Sequence, residues 1–485
     1  MGYHIFENGK GRTLAELLSE AGDPVSQPCG GNGKCGKCRV LASGELSEPS
    51  SEELMLLGDY AQKGYRLACV ARALGRAEVT CESENAAAEA GNAAIMPEIL
   101  SPVADGVAVA IDVGTTTVAV MALDAATAKP IATSAFINPQ RAMGADVMSR
   151  LSAICTDSSA AEKMRESLSA RLAEAIGSIC PTPPTSLAVC GNTVMEHILC
   201  SLDARGIAAY PFTPASLLGG EYKLPFADAS AYLFPCVAGY VGGDVTAGIV
   251  ACGLDRTDEN ILLLDLGTNG ELALSHDGRV YTASAAAGPA FEGGNLECGM
   301  CAGKGAIERV WLEDGEIKWS SRDGQEPIGI CGSAALDALA AMLETEIVDE
   351  TGAMDDDRYE FTDKVWISDA DVRALQLAKA AICAGVRTLC HAAGISEASI
   401  TRVLIAGSFG AHLDPASALR IGIVPRSLEG RIEAVGNTAL NGAALWLTDA
   451  AYRQRLEALK DKLEHVELSL SRKFNEYYIE EMTFE

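Results

Sequence analysis

The chain is poor in positive charge: 38 lysines and arginines stand against 66 aspartates and glutamates over 485 residues, for a net charge of −28. That balance argues against nucleic acid or an anionic membrane surface as partner, because both bind through clustered cations. No run of eighteen uncharged apolar residues occurs, so no segment reads as a membrane span. The opening MGYHIFENGKGRT lacks an apolar signal core, and Phe6 breaks the N-myristoylation pattern. No G-x-x-x-x-G-K-[ST] run is present, which excludes a P-loop. What remains is an ordinary globular mix, 48% apolar and 21% charged, long enough for two or three domains with sizeable cores.

Cysteine, by contrast, is well represented. Most of the sixteen, such as Cys190, Cys236, Cys252 and Cys331, lie in apolar or glycine-rich stretches and read as small buried hydrophobes. Four stand apart. Cys29, Cys35 and Cys38 fall in PCGGNGKCGKCRV with spacing C-x5-C-x2-C, and Cys69 follows 31 residues after Cys38. Glycines at 30, 31, 33 and 36 suit a loop whose backbone wraps closely around an inorganic core. Three thiolates on such a loop plus a distant fourth is how [2Fe–2S] ferredoxins hold their cluster. The x5 gap is one longer than the plant-type run and resembles the adrenodoxin-type variant. A structural zinc site is the alternative, but zinc sites usually pair two knuckles, and no twin of the CxxC stands near Cys69. The pattern predicts a one-electron carrier in a reducing cytosol, with Cys29, Cys35, Cys38 and Cys69 as metal ligands.

Composition divides the chain. Residues 1–82 read as a ferredoxin-like unit. Thr13 and Glu16 form a capping box ahead of Leu14, Leu17 and Leu18, and Gly22 stops that helix. The cysteine loop, a strand at CRVLASG, one helix through SSEELMLLGDYAQKG and short strands at YRLACVA and AEVTC follow. Cys81, on the last strand, reads as core. Residues 83–105, rich in Ala and Glu with two prolines, read as a linker with an average reach of about 25–30 Å, or else as a short docked helix. From 106 to 485 the pattern is α/β.

Within that stretch two segments share one grammar. In IDVGTTTVAVMAL, Asp112 ends an apolar strand, and Gly114 with Thr115, Thr116 and Thr117 turns into a second strand. In LLLDLGTNGELAL, Asp265, Gly267, Thr268 and Asn269 repeat the arrangement 153 residues later. Glycine lets the backbone approach an anion, and N–H groups with threonine hydroxyls can bind phosphate oxygens. An aspartate at each strand end makes sense if it holds Mg²⁺ through water. One such turn is a weak signal, since hairpins use the same residues. Two copies imply a duplicated domain whose halves face each other across a nucleotide.

These hairpins resemble the actin, hexokinase and heat-shock-chaperone ATPase superfamily. That resemblance implies ATP with Mg²⁺ and an RNase-H-like fold in two lobes. It places Gly407, Ser408 and Phe409 of AGSFG against adenosine, and Gly243 and Asp244 of YVGGDVTAG at the segment linking the halves. GNTALNGAALW near 436–446 looks like its second-half counterpart. Together with the cysteine loop, the runs CGNTVMEHIL, AAGPAFEGGN, GICGSAALDAL and IAGSFGAHLD resemble the reductive activators of corrinoid-dependent proteins. Membership implies ATP-dependent transfer of one electron from a β-grasp [2Fe–2S] domain to a Co(II) corrinoid protein, giving Co(I). A low-potential donor reloads the cluster, and Asp112 and Asp265 orient the metal. Larger members carry an additional domain between the iron–sulfur unit and the ATPase, where this chain has only the linker.

Other readings are an activator of another low-potential enzyme, such as a 2-hydroxyacyl-CoA dehydratase, and a small-molecule kinase with an accessory redox domain. A carrier with a purely structural ATPase half is a third. The first would use Cys298 and Cys301, a CxxC that could bridge a cluster in a homodimer. The GPAFEGGN loop at 288–295 is either a partner-facing segment or a structural turn. Glu271 and Asn192 are rival candidates for positioning the attacking water, and His197 reads as structural.

Overall fold

The computed structural model describes residues 2–21, 25, 27, 31, 33–34, 36–81, 105–410 and 412–484. Cys29, Cys35 and all of the 83–105 segment but its last residue lie outside them. In the first unit the capping box forms as the sequence implies: Thr13 Oγ1 accepts from Glu16 N at 3.2 Å and Glu16 Oε2 accepts from Thr13 N at 2.8 Å. The helix Leu14–Glu20 buries its leucines against a sheet ordered Gly2–Phe6, Arg72–Cys81, Arg39–Leu46, Tyr65–Leu67. The single helix expected through 50–64 is broken into Ser51–Leu57 and Asp59–Gln62 at Gly58, whose φ of 50° interrupts the helix and is open to a residue without Cβ. Glu53, 3% exposed, takes Arg66 in a two-pronged ion pair and also accepts from Leu67 N at 2.9 Å. That grip fixes the short strand leading to Cys69. Cys81 lies in the core of this unit.

The rest is built twice. In the first lobe the strands run in the order Leu218–Tyr222, Ala231–Pro235, Ser186–Gly191, Val107–Val113, Thr117–Asp124, Pro130–Ile137. In the second the order is Ile432–Gly436, Arg402–Ala406, Ile261–Leu266, Gly270–His276, Arg279–Ala285, Leu463–His465. Each lobe has an antiparallel hairpin of three strands whose first strand pairs in parallel with a later one. The shared topology is the duplication that the two D-x-G-T turns implied. Strands such as Val107–Val113 are apolar almost throughout because helices cover both sheet faces.

The helices Gly243–Ala251 and Thr438–Thr448 pack on each other between the lobes. Gly248 approaches Thr438 so closely that a Cβ would lie 2.8 Å from its Oγ1, and a Cβ on Gly442 would lie 2.6 Å from Ala247 O. In the second lobe Ser368 and Asp371 box-cap the long helix Asp369–Ala393. The tail forms the helix Ala450–Leu459, the short strand Leu463–His465 and the helix Arg472–Glu480, which docks through Arg387 to Glu480 and Glu481. Among the described residues no helix is long and apolar enough to cross a membrane.

Candidate nucleotide and cluster sites

The two hairpin turns open onto one cavity of about 170 Å³. Asp112, Gly114, Thr115, Thr116, Thr117, Asp244, Asp265, Gly267, Thr268, Asn269 and Gly407 all line it, as do Asn192 and Glu271. The first turn is held from behind. Asn138 Nδ2 donates to Gly114 O at 2.8 Å, Asn138 N to Thr116 O at 2.9 Å, and Arg150 Nη2 to Thr115 O at 2.5 Å. A Cβ on Gly114 would stand 2.5 Å from Thr117 O, so only glycine closes this turn. Gly407, at φ +85°, lies so near Asp265 that a Cβ would be 2.8 Å from its Oδ1.

Five carboxylates face this cavity, Asp112, Asp244, Asp265, Glu271 and Glu292, and none of the residues lining it is lysine or arginine. Burial pushes Asp112 up to about 7, Asp244 to about 8 and Asp265 to about 6. Glu271 is driven well above the carboxylate range by burial and by Asp244. Asn437 opposes the trend at Asp112, donating from Nδ2 to Oδ2 at 2.8 Å. Such a set is stable in ionised form only with a cation among it. The described residues present no group of three or more acidic, His or Cys side chains close enough to ligate a metal by themselves. That fits Mg²⁺ carried on phosphate oxygens and met by these carboxylates through water.

Several side chains arrive that sequence reasoning assigned elsewhere or overlooked. Glu292, in the GPAFEGGN segment, accepts from Thr116 Oγ1 at 3.1 Å and from Thr268 Oγ1 at 2.8 Å, bridging the two turns. Asn192, a candidate the sequence already offered for this site, donates from Nδ2 to Thr115 Oγ1 at 2.9 Å. Arg150, fully buried and lowered by that burial to about 9, lies behind the first turn. No local motif marks it. Two of the residues named from the sequence are not among those that line the cavity. Phe409 stacks on Phe291 in the second-lobe core, with centroids 5.4 Å apart, and does not line the cavity, because its helical turn points the ring inward. Gly243 packs against Glu196 and Phe234, leaving the cavity to its neighbour Asp244. The Ser408 side chain lies outside the described set. His197 is fully buried between Thr193 O and Ser216 N, a structural residue as expected.

In the first unit Cys38 and Cys69 bring their sulfurs to 3.2 Å, and the Cys38 contact lowers the Cys69 thiol to about 7. Two adjacent thiols, with Cys69 held below the ordinary thiol range, suit a thiolate-bound metal cluster. Cys298 and Cys301 stand on the loop that receives Lys37 of the cysteine loop: Lys37 Nζ donates to Leu296 O at 2.6 Å and to Glu297 O at 3.0 Å.

The fold and these sites define a class: a ferredoxin-type domain joined to a two-lobed ATPase of the actin and sugar-kinase kind. Residues 2–74 match the 2Fe-2S iron-sulfur cluster binding domain, 107–257 the RACo middle region, and 259–485 the C-terminal ASKHA domain of RACo. The chain is 32% identical over 412 residues to the corrinoid activation enzyme RamQ of Eubacterium limosum, covering 76% of this chain and 69% of that one. It is 27% identical to the [Co(II) methylated amine-specific corrinoid protein] reductase of Methanosarcina barkeri, over 61% of this chain and 62% of that protein. A solved reductive activator for corrinoid, iron-sulfur protein superposes with a TM-score of 0.71 at 26% identity, covering 98% of this chain and 96% of that one. The chain belongs to the RACo family of reductive activators of corrinoid proteins. Its first domain is accordingly a [2Fe–2S] domain, which removes the zinc alternative.

Proposed function

We propose that the protein uses ATP to drive one electron from its [2Fe–2S] domain to a corrinoid protein, converting inactive Co(II) to Co(I). The observation that supports this most directly is that two duplicate D-x-G-T turns meet at one acidic cavity, and that Lys37 of the cysteine loop docks on Leu296 and Glu297, shortly after the Glu292 that lines it. Asp112 and Asp265 orient the water shell of Mg²⁺, which would neutralise charge on the phosphates. The hydroxyls of Thr115–Thr117 and Thr268, with Asn269, hold phosphate oxygens. Asn192 or Glu271 positions the attacking water. Cys29, Cys35, Cys38 and Cys69 hold the cluster, which supplies the electron when bound. A low-potential one-electron donor reloads it.

ATP is needed because the transfer is uphill. Clusters of this class lie near roughly −400 mV, and each ~59 mV of shortfall is a tenfold unfavourable equilibrium for one electron. Hydrolysis can offset that only through a protein with two conformations that the nucleotide and the partner both bias. The paired helices between the lobes supply such an element. The test is absorbance of a purified Co(II) corrinoid protein incubated with this protein and a reductant no stronger than the cluster. Co(I) should accumulate only with hydrolysable ATP. Equal yields with and without ATP would remove the coupling.

A further inference from the structure

Glu292 stands between two unlike spaces. On one side is the acidic cavity of the two turns. On the other is a second cavity, of about 200 Å³, lined by Lys37 of the ferredoxin domain together with Arg141, Asp146, Met300 and Cys301. A single oxygen, Oε2, accepts both threonine hydroxyls, one from each lobe. Those hydroxyls are the groups through which the turns would hold phosphate. A phosphate oxygen and the Glu292 carboxylate therefore compete for the same two donors, and as like charges they repel when close.

The same segment holds the ferredoxin domain. Glu292 ends the turn Pro289–Glu292, which lies between two glycines of positive φ, Gly288 at 76° and Gly293 at 78°. Four and five residues further on, the carbonyls of Leu296 and Glu297 receive Lys37 Nζ. The second foothold of the ferredoxin domain, Gln27 Nε2 to Ala142 O at 3.0 Å, falls on Pro139–Ala142, immediately after the Asn138 that ties down the first turn. Both docking footholds are thus continuous with the residues that hold the phosphate turns.

We propose that Glu292 is a phosphate-sensing latch. Bonded to both threonines, it keeps 288–297 in the form that grips Lys37. The phosphate chain of ATP displaces its carboxylate, the glycine-flanked segment shifts, and the ferredoxin domain is released toward the corrinoid partner. This rests on the nucleotide site proposed above and adds what that site does to the electron carrier.

The test is hydrogen exchange of the full, cluster-loaded chain, with and without a non-hydrolysable ATP analogue whose binding is measured by calorimetry on the same sample. Saturating analogue should speed exchange at least about threefold in 293–300 and in 36–46. Glu292→Ala, checked by its cluster spectrum, should show the faster exchange without nucleotide and no further rise with it. It should also bind the analogue more tightly, by about tenfold, because a competitor for the two hydroxyls is gone. Glu292→Gln keeps an acceptor without charge and should fall between. Analogue bound with exchange unchanged overturns the latch alone. So does weaker binding by Glu292→Ala, which would make Glu292 a ligand of the bound phosphate or metal. No analogue binding at all overturns the nucleotide site and the latch together.

Discussion

Asn437 does two things with one side chain, and they can be separated. Its Oδ1 accepts from Leu440 N at 2.8 Å and so caps the helix Thr438–Thr448, while its Nδ2 donates to Asp112 Oδ2 at 2.8 Å. Asn437→Ala removes both, whereas Asn437→Ser keeps a capping oxygen but cannot reach the aspartate. Losing the cap costs about 1 kcal/mol, so the alanine variant should unfold earlier in urea than the serine variant by about that much. Losing a hydrogen bond to an ionised carboxylate costs about 1.5–3 kcal/mol, equivalent to about 1–2 pH units of proton affinity. Asp112 already sits at about 7 because it is buried, with Asn437 holding it down. Without that donor its protonated form gains, so the acidic limb of ATPase activity against pH should move toward higher pH by about one unit or more in both variants. Serine and alanine would then share the shifted pH profile, with alanine the less stable of the two by about the worth of the cap. An unmoved acidic limb in the serine variant would refute the role given to Asn437. Equal stability loss in both would refute the cap.

Asp112→Ala and Asp265→Ala should each lower ATP hydrolysis by about a hundredfold or more while leaving the iron content and visible spectrum unchanged; normal turnover in both would detach these turns from the nucleotide. Cys38→Ala should abolish the cluster of anaerobically prepared protein, whereas Cys81→Ala, buried in the core of the first unit, should keep two iron per chain (the [2Fe–2S] stoichiometry) and lose only about 1 kcal/mol of stability. Asp112, Asp244 and Asp265 carry folded values of about 7, 8 and 6, above the ~3.9 of an unfolded aspartate. The folded state therefore binds the extra protons, and stability present at low pH is lost as pH rises from about 4 through those values. Fluorescence of the four tryptophans, all beyond residue 310, should show the urea midpoint of the ATPase region falling between pH 5 and 8, with Mg²⁺ and ATP reversing the fall. A flat or rising midpoint would mean that the carboxylates titrate normally.

What could be read from the sequence was whatever repeats or punctuates. The two hairpins were legible because a strand-ending aspartate, a glycine and hydroxyls recur in the same order, and the cysteine spacing because cluster geometry is reached by a short loop. Thr13 and Glu16 announced their helix because a capping box is a local interaction. Gly58 was harder: glycine inside a helical pattern is usually tolerated, and only its backbone angle reveals the break. Arg150 left no trace at all, and Glu292 and Asn437, though in segments the sequence singles out, gave no sign of these roles. Each acts on residues distant in sequence, 24 away at the nearest, through a contact that only the packing of lobe on lobe or helix under sheet creates. The packing of Phe409 on Phe291 was illegible for a related reason, since an aromatic after a glycine turn looks the same in sequence whether its ring faces a ligand or the core.

The helices Gly243–Ala251 and Thr438–Thr448 approach through glycines at two points, Gly248 against the Thr438 hydroxyl and Gly442 against the Ala247 carbonyl. Where side chains interlock, sliding one helix on another must climb over each knob in turn. A glycine crossing has no such teeth. It works as a smooth axle, on which a small torque turns the lobes without passing through fixed stops. Asp244, in the first turn of one helix, and Asn437, the cap of the other, both reach the cavity. The positive poles of both helix dipoles therefore lie at the same end of the axle. An anion entering there pulls on both lobes at once, on the side where leverage about the crossing is greatest. Bulk added at Gly248 or Gly442 would act as a wedge in that axle, leaving each lobe whole while stopping one from turning against the other.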